Sequence, residues 1–146
     1  MAQAHETMPR IWSAAGRDDA FDYWREVVCQ AFTRLSPERL GDEPFAGEIR
    51  LTRFADGAST SRIAASAQTV ARRRADIAER PCDAAFVNIQ LSGGSVVRQR
   101  GIETRLPAGS LALLDARDPF EMRFDGPFRQ LCLHVPMAML ATLGFD

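Results

Sequence analysis

The sequence predicts a mainly β domain: a sandwich or small barrel of short antiparallel strands, preceded by one amphipathic helix. Three observations lead there. Residues 86–136 break into six runs rich in Val, Ile, Leu and Phe, namely Phe86–Leu91, Ser95–Gln99, Ile102–Leu106, Leu111–Asp115, Phe120–Phe124 and Phe128–Val135, each of ordinary strand length. Turn chemistry separates them: Ser92-Gly93-Gly94, Arg100-Gly101, Pro107-Ala108-Gly109, Arg117-Asp118-Pro119 and Asp125-Gly126-Pro127. No helical pattern lies between these runs, which removes the βαβ unit and with it a parallel sheet.

The remaining elements follow in chain order. Residues 1–16 form a weakly patterned N-terminal arm, in which Ile11 and Trp12 either anchor the chain onto the body or end a frayed tail. Over 18–35, Phe21, Trp24, Val28, Ala31, Phe32 and Leu35 line up on one apolar stripe of a helix that covers a face or end of the barrel. Asp18 or Asp19 suits its start, and Ser36-Pro37 stops it. Residues 45–54 and 60–71 read as two further strands around the Asp56-Gly57 turn, with Ile49 and Leu51 sharing a face. The run Arg72-Arg73-Arg74 alternates faces on a strand, so it makes no single cationic patch, and one member can turn inward. Residues 75–83 form a loop or short helical turn. Beyond Pro136, Met-Ala-Met-Leu-Ala-Thr-Leu opens a helix, and 137–146 reads as the start of a truncated one.

At 146 residues the chain is one domain with room for a core, and 17–136 is its body. A net charge of −1 gives no reason to expect nucleic acid or a membrane as a direct partner. No apolar run is long enough for a bilayer span, and the N-terminus lacks the apolar stretch of a signal peptide. Cys29, Cys82 and Cys132 are odd in number, without metal or redox spacing, which suits free thiols in a cytoplasmic location.

One spacing carries chemical meaning. Gly101, five residues, Pro107, one residue and Gly109 match the second motif of cupins, small jelly-roll barrels. This makes the expected fold a cupin-like jelly-roll β-barrel. In metal-binding cupins a histidine comes three positions after that last glycine; here the position is Ala112. Such a metal needs several convergent imidazoles or carboxylates. The chain has only His5 in the arm and His134 in the last strand. No G-x-S-x-G, P-loop or G-x-G-x-x-G occurs, and carboxylates such as Asp118 and Glu121 sit beside turns. The expectation is a domain with no catalytic residues, no metal and no cofactor.

The order of features resembles the N-terminal sensor domain of AraC/XylS-type bacterial transcription regulators, over roughly residues 12–143. The resemblance is carried by Trp24-Arg25-Glu26, Val70 to Arg74, Asn88-Ile89-Gln90-Leu91-Ser92-Gly93, Gln99-Arg100-Gly101, Leu106-Pro107-Ala108-Gly109, Leu114-Asp115, Asp118-Pro119-Phe120 and Val135-Pro136. It implies a barrel that binds a small effector, later helices that support dimerisation, and two helix-turn-helix motifs that read DNA. The 146 residues contain no helix-turn-helix, so DNA would be reached only through a further segment, and a second copy of the chain is a candidate partner. Ser110 stands where the family usually has Asp.

Candidate ligand-binding residues are polar or aromatic side chains on the strands. Asn88 and Gln90 share a face opposite Val87, Ile89 and Leu91; they line the lumen if those three pack under the helix, and are solvated if the order is reversed. Phe120, Met122 and Phe124 share one face and supply either an apolar wall or plain core. Arg72, Arg98 and His134 are weaker candidates. A sensor lumen should enclose at least about 300 Å³. A filled barrel would instead be a dimerisation or interaction module, and a small cupin-type enzyme is the third alternative.

Because Ala112 replaces the motif's histidine, the purified chain should carry no stoichiometric transition metal. Elemental analysis showing one zinc, iron or nickel per chain would contradict this and revive the enzyme alternative.

Overall fold

A computed structural model describes residues 8–144. The chain folds into two antiparallel sheets packed as a jelly-roll-like sandwich, closed at one end by a helix. Strand β1 (Arg10–Ser13) leads to helix α1 (Ala20–Ala31), then β2 (Ser36–Arg39), β3 (Gly47–Arg53), β4 (Ser59–Ala65) and β5 (Gln68–Arg72). Helix α2 (Arg74–Glu79) precedes β6 (Ala84–Ser92), β7 (Ser95–Gln99), β8 (Ile102–Leu106), β9 (Leu111–Asp115), β10 (Phe120–Phe124) and β11 (Phe128–Pro136). Helix α3 (Met137–Thr142) follows. One sheet runs β1-β3-β4-β11-β6-β9 and the other β2-β5-β10-β7-β8. Among the described residues no helix is long and apolar enough to cross a membrane.

The six strands read between residues 86 and 136 are present, four of them with the expected bounds. Of their connections, β7–β8 is a hairpin and the others cross from one sheet to the other, each at the expected turn residues. Gln99 pairs with Ile102, leaving a two-residue loop in which Arg100 (φ 54°) and Gly101 (φ 74°) both adopt the left-handed conformation that a tight hairpin requires. Gly109 (φ 90°) turns the chain into β9, and its N–H donates to Gln90 O (2.7 Å). The spacing that suggested the fold thus builds the β7–β8 hairpin and ties its far end to β6.

Elsewhere the structure differs from the sequence reading. The helix ends at Ala31 rather than Leu35, and the stop at Ser36-Pro37 is itself strand β2. β2 is an edge strand pairing only with β5, a place where a proline's missing N–H is tolerated. The single strand expected over 60–71 is two strands in different sheets: the chain crosses at Ser66-Ala67, where Ser66 Oγ bonds Ala46 and no Gly or Pro marks the break. In the arm, Trp12 is buried while Ile11 faces outward, and β1 pairs with β3. Residues 1–7, including His5, lie outside the described residues.

Arg72 is the inward member of its run and is fully buried (0% exposed), whereas Arg73 and Arg74 are exposed. Its guanidinium donates to three backbone carbonyls: Nε to Ala116 (2.7 Å), Nη1 to Arg34 (2.9 Å) and Nη2 to Arg80 (2.8 Å). Those carbonyls belong to the β9–β10 turn, the segment after α1 and the end of α2. One side chain therefore fastens three connections to the second sheet, using donors fixed in a planar fork.

Arg72→Leu keeps the volume roughly but strands three carbonyls, so it should cost at least about 3 kcal/mol of unfolding free energy in a urea melt. A loss below about 1 kcal/mol would show that water or neighbouring donors replace the guanidinium.

Candidate functional site

The inner faces of both sheets meet α1 around a small cavity of about 40 Å³. Its walls come from β4, β6 and β11 of the first sheet (Ile63, Phe86, Asn88, Phe128, Gln130, Cys132) and from β5 and β10 of the second (Gln68, Val70, Phe120, Met122, Phe124). Trp24 and Val28 of α1, with Phe32 and Leu35 just beyond it, close the mouth. The wall is largely apolar and rich in aromatic rings. Phe86 sits edge-on to Phe32 and to Phe120 (6.1 and 6.4 Å between centroids), and Phe124 stacks on Phe128 (3.6 Å). This volume lies far below the 300 Å³ expected of an open sensor lumen, so the barrel in this conformation is nearly filled.

α1 is seated by Trp24, which is 2% exposed. Its Nε1 donates to Gln68 Oε1 (2.9 Å). Its ring lies on Gly47, where an added Cβ would fall 2.6 Å from Cε3 and Cζ3, so only glycine leaves room. Phe45 packs beside it at 5.6 Å. The helix covers the mouth of the sandwich and not the outer face of β6. Asn88 and Gln90 consequently point inward although Val87, Ile89 and Leu91 do not pack under α1.

The two inward amides differ in their partners. Gln90 is fully engaged: its Oε1 accepts from Ser95 Oγ and from Gln130 Nε2 (both 3.2 Å), and its Nε2 donates to Ser92 O (3.1 Å). It does not line the cavity. Asn88 lines it, is 2% exposed, and makes one side-chain hydrogen bond, from Nδ2 to the weak acceptor Met122 Sδ (3.6 Å). Its oxygen has no donor among the described residues. Gln130 Nε2 is spent on Gln90, and its own oxygen likewise has none.

The other sequence candidates divide. Phe120, Met122 and Phe124 are cavity wall. Arg72 is not; it serves the three carbonyls, against the expectation of a pocket arginine, because the nearest unmet acceptors are backbone. Arg98 is exposed and pairs with Glu103 (2.7 Å). His134 stands outside the cavity wall, half-buried, stacked on Phe86 (5.3 Å), with Nε2 3.9 Å from Cys82 Sγ. Burial and the nearby charge of Arg53 hold its imidazole pKa below the ordinary value, and burial pushes the Cys132 thiol up to about 12. Asp115 and Asp118 are taken up by Arg100 and Arg117 around the β9–β10 turn. Sequence reasoning missed Trp24, Gln68 and Gln130 as site residues. Only Gln68 and Gln130 carried a signal, as inward-parity amides on apolar strands like Asn88. Among the described residues no three His, Cys, Asp or Glu side chains converge as metal ligands, and Ala112 pairs across the sheet with Asn88.

Larger depressions lie on the surface. One of about 600 Å³ on the outer face of the first sheet gathers Arg50, Arg62 and Arg129 with Glu48.

Comparison with known proteins follows the same lines. The family described as the AraC-binding-like domain matches over residues 24–144. A protein described as uncharacterised, in the nit 5′ region of Bacillus sp. (strain OxB-1), is 29% identical over 122 residues, covering 84% of this chain and 47% of its own length. The transcriptional activator NphR of Rhodococcus sp is 37% identical over 82 residues, 56% of this chain and 24% of its own. The solved structure of the AraC-like transcriptional activator CuxR shares the fold, with a TM-score of 0.79 at 17% identity over 94% of this chain and 50% of that one. The chain thus spans about half the length of these relatives, or less.

His134 yields a pH prediction. Its folded-state pKa lies below the unfolded value of about 6.5, so the neutral ring is favoured by folding. Stability should be full above pH ~6.5 and fall as pH drops through the folded pKa. A His134→Gln variant should show a flatter profile of melting temperature over pH 5–7, and an identical slope would remove His134 as the cause.

Proposed function

The chain belongs to the AraC-binding-like domain family, the cupin-like sensor domains of AraC-type transcription regulators, and we propose that it binds a small organic effector between its two sheets. In this reading it passes that event to a DNA-binding segment outside the 146 residues and performs no reaction of its own. Its partners are the effector, a second copy of the chain and, through that further segment, DNA. The observation that supports it is the composition of the cavity: an apolar wall rich in aromatic rings, with Asn88 and Gln130 presenting oxygen atoms that no donor reaches among the described residues. Ligand sites are commonly apolar with a few placed polar groups.

An effector acts only through unequal affinity for two states of the regulator. β11 offers a route between them. It contributes Phe128, Gln130 and Cys132 to the cavity wall and continues through Pro136 into α3, whose first N–H bonds Asp83 O (3.0 Å). A shift of β11 against β6 would therefore move α3. The small cavity requires the effector to select or induce an opened state, with α1 or Phe32 displaced.

The cavity's 40 Å³ favours one second reading, a filled barrel that serves only as an interaction module. A thermal-shift panel of aromatic acids, amines, amides, alcohols and sugars separates the two. The sensor reading expects at least one saturable shift, equivalent to about 2.7 kcal/mol at a hundredfold excess over Kd. If no compound in the panel stabilises the chain, the interaction module stands.

A further inference from the structure

We propose that the effector is an uncharged, single-ring aromatic molecule carrying an O–H or N–H donor, with that donor held by the Asn88 carboxamide and the Gln130 side-chain oxygen. This rests on the sensor reading and names its ligand class.

The donor requirement comes from unequal satisfaction of the buried amides. Gln68 is engaged by Trp24, and Gln90 by Ser92, Ser95 and Gln130. Asn88, equally buried, has only a thioether at 3.6 Å. With Nδ2 turned to the Met122 sulfur, Oδ1 is left without a donor among the described residues. A buried polar group left unpaired is costly, and a ligand that supplies the missing bond recovers that cost. With the Gln130 oxygen in the same position, two acceptors line the cavity without a donor. An ether, ester or hydrocarbon cannot answer them; a hydroxyl or amide can.

The charge requirement comes from what the wall lacks. Among the described residues no carboxylate, ammonium or guanidinium lines the cavity. Arg72, cross-strand from Phe120, is committed to three carbonyls. An ionised effector would sit there unpaired, which low-polarity surroundings strongly disfavour. A sugar fares no better, since its several hydroxyls would outnumber the free acceptors.

The size requirement comes from Phe32. A benzene-sized ligand needs a cavity on the order of 150 Å³, well above the present volume. Phe32 follows the last residue of α1 and is only half-buried, whereas most of the wall is fully buried. Rotating its ring outward vacates the space of one phenyl group against the edge of Phe86. One ring leaves and one ring enters, with edge-to-face contact regained.

The test is a titration of the chain, read by calorimetry and thermal shift, with benzyl alcohol, benzamide, toluene, benzoate and glucose at pH 7. Benzyl alcohol and benzamide should bind saturably, toluene at least tenfold more weakly, and benzoate and glucose not at all. Asn88→Leu should weaken the two donors at least tenfold without lowering the melting temperature and should leave toluene no weaker. The ratio of donors to toluene on the unaltered chain decides the matter even if that variant does not fold. Equal binding of toluene removes the donor requirement. Binding of benzoate or glucose in place of the donors overturns the ligand class while leaving a sensor. Silence of these probes overturns the class, and silence of the wider panel as well takes the sensor reading with it.

Discussion

The indole of Trp24 touches both sheets at once. Its N–H bonds Gln68 on β5 of one sheet, and its six-membered ring rests on the bare backbone of Gly47 on β3 of the other. Helix α1 is seated over the sandwich by this side chain together with buried Val27, Val28 and Ala31, with Phe45 as a brace and Arg25 bonding Glu38 on β2 (2.9 Å). The cavity lies between the two inner faces, with Trp24 and Val28 of the helix among its lining side chains. Whatever enters must either loosen this seat or pass Phe32 and Ile63, the lining side chains that are not fully buried.

Inside, the polar groups fall into two sets. Arg72, Gln68 and Gln90 are buried and satisfied, and each joins segments distant in sequence: turn to helix end, helix to strand, strand to strand. Groups of that kind fix one arrangement, because moving any partner leaves another unpaired. Asn88 and Gln130 are buried residues whose side-chain oxygens have no donor among the described residues, which adds nothing to stability. A domain needs the first set to fold. The second has value only when something else arrives, and it sits on β6 and β11, the strands closest to the exit toward α3.

Much of the fold was legible because its information is local. Gly, Pro and Asp punctuation marked every connection from β6 to β11, the β7–β8 hairpin at Arg100-Gly101 included. Where the chain changes sheet without punctuation, at Ser66-Ala67, periodicity alone merged two strands into one. β2 was hidden for the opposite reason: Pro37 reads as a stop but sits on a sheet edge, where its missing N–H does no harm. At the site, strand parity grouped Asn88 with Gln90, and Phe120 with Met122 and Phe124, on single faces, but left open whether the amides turned inward and whether the aromatic face was wall or plain core. The distinction between Asn88 and Gln90 was not readable, since it depends on Ser95 and Gln130 reaching one amide and missing the other. The inward turn of Arg72 could be anticipated, but its destination could not, because three carbonyls from three segments converge only in the folded chain. The closed lumen was likewise invisible, being a matter of volume and not of residue type.

The central claim is that ligand enters between the sheets and meets the Asn88 and Gln130 amides. Nitrogen-edited NMR of side-chain amide protons during titration with benzyl alcohol tests it most directly. The account predicts saturable shifts of the Asn88 and Gln130 NH2 signals, with the Gln90 amide following through its bond to Gln130 and the Trp24 indole signal responding as α1 adjusts. Unmoved amides, with perturbations gathered instead around the Arg50, Arg62 and Arg129 groove on the outer face, would contradict it.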